Sequence, residues 1–183
     1  MLSVTNINSL NFSHDSHLRT AIARARDVAT MSAAQDGSLD LRHEDHRALY
    51  AYWHGKRSGD RLPGRADVDP AELRQLLPRL ALIDVLRGDQ GPAFRYRLTG
   101  TEIVSRAGRD PTGKRFEELY SGDYLKTANE TYRQVVETGR PHTSDRVYPL
   151  VPGREYMRYD RLLLPLAGDG VTVDMVMLLI VVL

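Results

Sequence analysis

Residues 79–120 read RLALIDVLRGDQGPAFRYRLTGTEIVSRAGRDPTGKRFEELY, two strands followed by short helical turns. Arg79–Arg87 is rich in Leu, Ile and Val, and Gly88, Asp89, Gly91 and Pro92 break it as a hairpin loop does. Ala93–Thr99 then alternates, with Phe94, Tyr96 and Leu98 on one face and Arg95, Arg97 and Thr99 on the other. That period of two predicts a half-buried antiparallel strand, because successive side chains leave opposite faces of the pleat. Gly100 ends the strand, and Glu102–Ala107 is too short for a long helix.

Downstream, Ser121–Glu137 carries the clearest helical pattern, a stripe of Tyr124, Leu125, Ala128, Tyr132, Val135 and Val136. Ser121 suits its cap and Asp123 its first turn, while Gly139 and Pro141 stop it. Three strands follow: Thr143–Val151, Arg154–Ala167 and Val171–Leu183, separated by Pro152-Gly153 and Gly168-Asp169-Gly170. In the last, Met175, Met177 and Leu179 share one face with Val171, Val173 and Val181. Val176, Leu178, Ile180 and Val182 take the other, which this reading assigns to the outside of the sheet. An exposed apolar face of that size has to be covered.

Upstream, Leu41–Lys56 reads as a helix capped by Asp40 or Ser38, with Leu41, Ala48, Leu49, Tyr52 and Trp53 as its apolar face. After a loop, Asp69-Pro70-Ala71-Glu72 has the residues of a helix start, and that short helix ends before Pro78. His17–Ala34 has an alanine-rich helical stripe and residues 1–16 are polar and irregular. The chain therefore divides into an N-terminal extension, partly helical, over residues 1–38, and a domain with its own N-terminal flanking helix over residues 39–183.

Composition narrows the function. Lys plus Arg is 25 and Asp plus Glu is 24, a net charge of +1, which is no electrostatic footprint for nucleic acid. There is no cysteine, so disulfides, thiolate catalysis and cysteine zinc sites are excluded. The start has neither the basic nor the apolar region of a secretory signal. The longest apolar run, Met175–Leu183, is far short of the roughly 20 residues that span a bilayer. The expectation is a cytoplasmic protein without membrane or nucleic-acid partners.

Two antiparallel strands, short helical turns, one longer helix and three more strands resemble the order of a PAS domain. The wording also resembles a small bacterial family of single-domain PAS proteins. It is carried by Trp53, Arg61-Leu62-Pro63, Arg65, Asp67, Asp69-Pro70, Leu76-Leu77-Pro78 and Ile83-Asp84-Val85. Phe94-Arg95-Tyr96-Arg97-Leu98, Gly100-Thr101, Gly108, Asp110, Thr112-Gly113, Tyr159-Asp160-Arg161 and Leu164-Pro165 continue it. The resemblance covers about residues 48–183. It implies an α+β fold: a five-stranded antiparallel sheet with short helices and one main helix on one face, plus the N-terminal helical extension. It also implies that flanking helices or partner chains use the outer sheet surface. Candidate covers are the Trp53 helix, the alanine-rich helix or a second subunit, so Trp53, Leu49, Val176, Leu178 and Ile180 are the interface candidates and a homodimer is expected. Trp53 reads first as a core anchor, since it lies on the apolar face of its helix.

Several motifs have a plainer reading. Gly108–Lys114 spells most of a phosphate loop, but Arg115 stands where the magnesium-binding hydroxyl belongs and no buried strand precedes it. It reads as a glycine-rich turn. His43 and His46 lie three apart on a helix, yet they lack the H-E-x-x-H spacing and a third ligand, and read as solvated histidines. No metal site is assigned. Haem-binding members of the resembled family use a His on or near the main helix, which here has none, His142 lying just beyond it. Light-sensing flavin members use a reactive Cys, also absent. Neither haem nor flavin is expected.

Tyr96, Tyr132, Tyr159 and Arg161 are the polar residues drawn toward the interior, and they are the ligand-binding candidates. A buried arginine needs a carboxylate partner or an anionic ligand, so Arg161 either binds an acid group or pairs with Asp84 or Asp160. The expected function is a stand-alone cytoplasmic sensory or regulatory module. It binds a small molecule, a protein signalling partner or both, without catalysis, and has no length left for an output domain. The alternatives are a small α+β enzyme with an unrecognised site, or a pure interaction scaffold with a filled pocket.

Overall fold

The structure, a computed structural model, describes residues 39–147 and 158–183. The helix expected over His17–Ala34 lies outside them. The elements are α1 (Glu44–Gly55), β1 (Leu80–Gly88), β2 (Gly91–Thr99), α2 (Thr101–Ala107), α3 (Phe116–Leu119), α4 (Gly122–Thr138), β3 (His142–Val147), β4 (Arg158–Leu166) and β5 (Met175–Val182). The strands form one antiparallel sheet in the order β2-β1-β5-β4-β3. The last strand is thus the central one.

Local chemistry accounts for the joints. Gly88 pairs with Gly91 across a two-residue turn, and Gly91 takes φ +91°, a conformation that suits glycine. Gly100 is required for space: a Cβ there would sit 2.2 Å from the Leu77 carbonyl oxygen. Its N–H donates to Leu80 O at 2.8 Å, tying the end of β2 to the start of β1. Gly139, in the left-handed region, ends α4 and donates to Val135 O.

Both faces of the sheet are buried. On the inner face, Ile83, Phe94, Tyr96, Tyr159, Leu163, Val176, Leu178 and Ile180 pack against Ile103, Phe116, Ala128, Tyr132 and Val135 from α2, α3 and α4. On the outer face, Leu80, Leu82, Leu162, Leu164, Leu166, Met175, Met177 and Leu179 pack against Leu49, Tyr50 and Trp53 of α1 and against Val68, Leu73 and Leu76 of the following turns. Trp53 is 1% exposed and its indole N–H donates to Pro165 O at 2.8 Å.

This corrects the face assignment in β5. Val176, Leu178 and Ile180 point inward, and Met175, Met177 and Leu179 point outward. In a strand buried on both faces every position is apolar, so the alternation that reveals orientation is missing. The five residues read as interface candidates, Leu49 and Trp53 included, are buried inside one chain.

Three smaller expectations also change. His43, not Asp40 or Ser38, precedes α1 as its cap. The Asp69-Pro70 segment forms successive turns and a 3-10 turn at Leu77–Arg79, with Asp69 accepting from the Ala71 N–H at 2.8 Å. His46 is buried at 1% exposure rather than solvated. It lies on the α1 face toward the sheet, and His43 Nε2 meets Asp160 Oδ2 at 2.7 Å.

Candidate functional site

The inner face holds a cavity between α4 and the sheet. Tyr96, Tyr132, Tyr159 and Arg161 all line it, so the fold brings the four expected ligand-binding residues together. The strand register explains this. Tyr96 of β2 sits across from Ile83 of β1, which sits across from Val176 of β5. Arg161 of β4 lies between Ser144 of β3 and Ile180 of β5, and Tyr159 lies between Arg146 and Val182. Residues two apart on β4 therefore share the inner face, while Asp160 between them faces outward to His43.

From above, α4 contributes Tyr124, Ala128 and Tyr132 at four-residue spacing, a single helical stripe. Phe116 of α3 packs its ring edge-on to Tyr132, with centroids 5.0 Å apart, and 5.3 Å from Tyr96. Two hydroxyl pairs cross the site: Tyr96 with Tyr120 at 2.7 Å, and Tyr124 with Tyr159 at 3.2 Å. Burial is the main cause that pushes the Tyr96, Tyr132 and Tyr159 phenols above their ordinary range. They are neutral hydrogen-bonding groups at any ordinary pH.

Arg161 supplies the charge. It is 4% exposed. Its Nε donates to Ser144 Oγ at 2.8 Å and its guanidinium lies 5.6 Å from the Tyr132 ring centroid. Its buried Nη2 has no hydrogen-bond partner among the described residues. Neither carboxylate proposed for it from the sequence is there: Asp84 pairs with Arg95 at 2.7 Å, and Asp160 faces His43. Beside it, Arg146 Nη2 donates to Thr131 Oγ1 at 2.9 Å. Burial first, then Arg161 and Arg146, hold His142 below the usual histidine range.

Sequence reading missed Tyr120, Tyr124, Ser144 and Arg146 as site residues. Tyr124 carried a signal, its place in the stripe with Tyr132. Ser144 and Arg146 alternate with Thr143 and Asp145 on a strand polar on both faces, where periodicity says nothing about which side is inside. The cavity amounts to about 40 Å³, room for about three water-sized groups. No cluster with the composition of a metal site occurs among the described residues. The Gly108–Lys114 stretch is a turn: Gly108 closes α2 in the left-handed region and Asp110 accepts from the Thr112 N–H.

A five-stranded antiparallel sheet with its helices on the inner face and a site between them is the PAS fold. The family model for the PAS domain matches residues 41–180, most of the chain, and the chain belongs to that family. Solved structures with a similar course include a light-oxygen-voltage domain studied with a flavin analogue (TM-score 0.45, 14% identity, 62% of this chain and 82% of that one). A domain of an HTR-like protein from Haloarcula marismortui is another (0.41, 13%, 57% and 98%). A sensory box sensor histidine kinase from Vibrio cholerae is a third (0.39, 25%, 61% and 89%). No curated protein matches. No helix among the described residues is long and apolar enough to cross a membrane.

Proposed function

We propose that this protein is a cytoplasmic sensory or regulatory PAS module that binds a small molecule in the cavity under α4 and passes the change to a protein partner without catalysis. The observation that carries the reading is the cavity itself: tyrosine rings and a buried guanidinium meet around a space of about 40 Å³. Its floor, β4 and β5, is the same pair of strands that α1 covers from the other side. A ligand that prefers one packing of these strands would bias the seating of α1 by its differential affinity, and by no more than that.

Haem and flavin stay outside this proposal. The chain has no cysteine, and about 40 Å³ is small against the several hundred of pockets that take cofactor-sized ligands. The homodimer expected from the sequence is proposed through surfaces other than the five buried candidates. Sedimentation of a monomer at tens of micromolar would defeat it.

A thermal-shift screen over small-molecule classes tests the function. One class that raises the unfolding temperature, and also changes amide exchange in α1, is the expected result, because a ligand of the native state must stabilise it. A flat response across all classes would instead favour an interaction scaffold whose pocket is filled by side chains, a reading that the small cavity supports.

A further inference from the structure

Resting on the sensory reading above, we infer that the cavity is an anion site and that its ligand is a small monocarboxylate of about acetate size, with its acid group on Arg161. The argument starts from charge. A guanidinium removed from water needs compensating acceptors or a counter-ion. Among the described residues Arg161 has one acceptor, Ser144 Oγ, and one ring face, that of Tyr132. Its Nη2, buried in a side chain that lines the cavity, has no acceptor among the described residues.

The acids that lie near in sequence are engaged elsewhere. Asp160 points to the outer face and His43. Asp145, opposite Asp160 in the β3–β4 register, reaches Arg158 at 2.8 Å. Asp84 is held by Arg95 and lies 3.6 Å from Arg97. Alternation along β3 and β4 thus sends each acid outward and turns His142, Ser144, Arg146, Tyr159 and Arg161 inward. The inner end of these strands carries two guanidinium groups, and no carboxylate pairs with either among the described residues. An anion bound there restores the balance.

The rest of the cavity sets the class of anion. Nε is taken by Ser144 Oγ, so a carboxylate meets the Nη end of the Arg161 guanidinium rather than its Nε–Nη2 edge. The tyrosine hydroxyls are neutral donors that can share the acid group. The rest of the wall is apolar, Ile103, Phe116, Leu178 and Ile180 among it, which suits a methyl or short alkyl end rather than a second charge. With room for about three water-sized groups, the ligand is small. A bare inorganic anion would satisfy Arg161 but would leave the apolar wall unused.

The test is thermal unfolding of the full chain at fixed pH and ionic strength with sodium acetate, sodium propionate, sodium chloride or acetamide. The carboxylates are expected to raise the unfolding temperature by roughly 5 °C at concentrations far above their dissociation constants. Chloride and the uncharged isostere acetamide should not. The carboxylate shift should vanish in Arg161→Met, which keeps much of the side chain's volume. If that variant does not fold, saturation transfer from the wild-type protein to the propionate methyl, with a contact to the Tyr132 ring protons, tests the same placement, and its absence would overturn it. A chloride shift equal to that of acetate would make the site one for inorganic anions and overturn the carboxylate. An equal acetamide shift would overturn the anion while leaving a ligand-binding module. No shift with any carboxylate, or one retained in Arg161→Met, would overturn the assignment to Arg161.

Discussion

The outer face of the sheet is sealed with Leu162, Leu164, Met175, Met177 and Leu179 under Trp53, while the inner face of the same strands sets Tyr159, Arg161 and Leu178 around a cavity. The two faces use alternate residues of one sequence. The outer one is close-packed, and its main polar feature is a His43–Asp160 pair beside a buried His46, with His46 Nε2 and Asp160 Oδ1 lacking hydrogen-bond partners among the described residues. The inner one leaves a cation's Nη2 unpaired among the described residues and rings that close the space only partly. Unpaired buried polar atoms thus occur on both faces, and what separates the two is the cavity, since a core that serves stability alone fills its space. Under the proposed function, the outer face holds the fold and the inner one is where a ligand is recognised.

The largest test of that division is Trp53→Ala. It removes a fully buried indole and leaves the Pro165 carbonyl without its donor, so it should cost about 3–5 kcal/mol in urea unfolding. A loss under about 1 kcal/mol would show that α1 does not seal the sheet.

Acid should act through the outer face next. Burial and neighbouring His43 hold His46 at about 4 against an ordinary 6.5, although Asp160 and Asp45 pull it upward. Between these values the unfolded chain takes up a proton that the folded one refuses. This contribution to stability is intact above pH 6.5 and is lost as the pH falls toward 4, by up to about 3 kcal/mol. Urea midpoints across that range measure the slope, and His46→Leu should flatten it.

The join between the faces is probed by Gly100→Ala. The added methyl has to displace the Leu77 and Pro78 carbonyls, at about 1–3 kcal/mol in urea unfolding. The smallest effect belongs to the inner face. Tyr96→Phe loses one hydroxyl pair with Tyr120, about 1 kcal/mol, yet it should alter ligand-dependent shifts more than stability. A loss as large as that of Trp53→Ala would make the inner face structural too and end the comparison.

Much of this arrangement can be read in the chain. The β1–β2 hairpin is legible because Gly88 and Gly91 bracket the turn and Phe94 and Tyr96 alternate with polar residues, but a register shift at Leu82/Ile83 sets Leu98 opposite Leu82 and off their face, 44% exposed, which the period of two does not reveal. The α4 stripe is legible from its spacing, and with it the approach of Tyr132 to Tyr96. The PAS order of elements follows from both. The orientation of β5 is not legible, since MVMLLIVV is apolar at every step, and the burial of His46 is hidden because only a neighbour can tell a helix face that meets leucines from one that meets water. Local periodicity determined which residues form strands and helices, and the lack of cysteine removed whole chemistries before any fold was known. The tertiary structure alone decided which face of β5 looks inward, that α1 covers the other, and that Arg161 lies beside Ser144 and Tyr132 with no acid opposite it among the described residues. Those are distances between residues far apart in sequence, and no period along one strand encodes its neighbour.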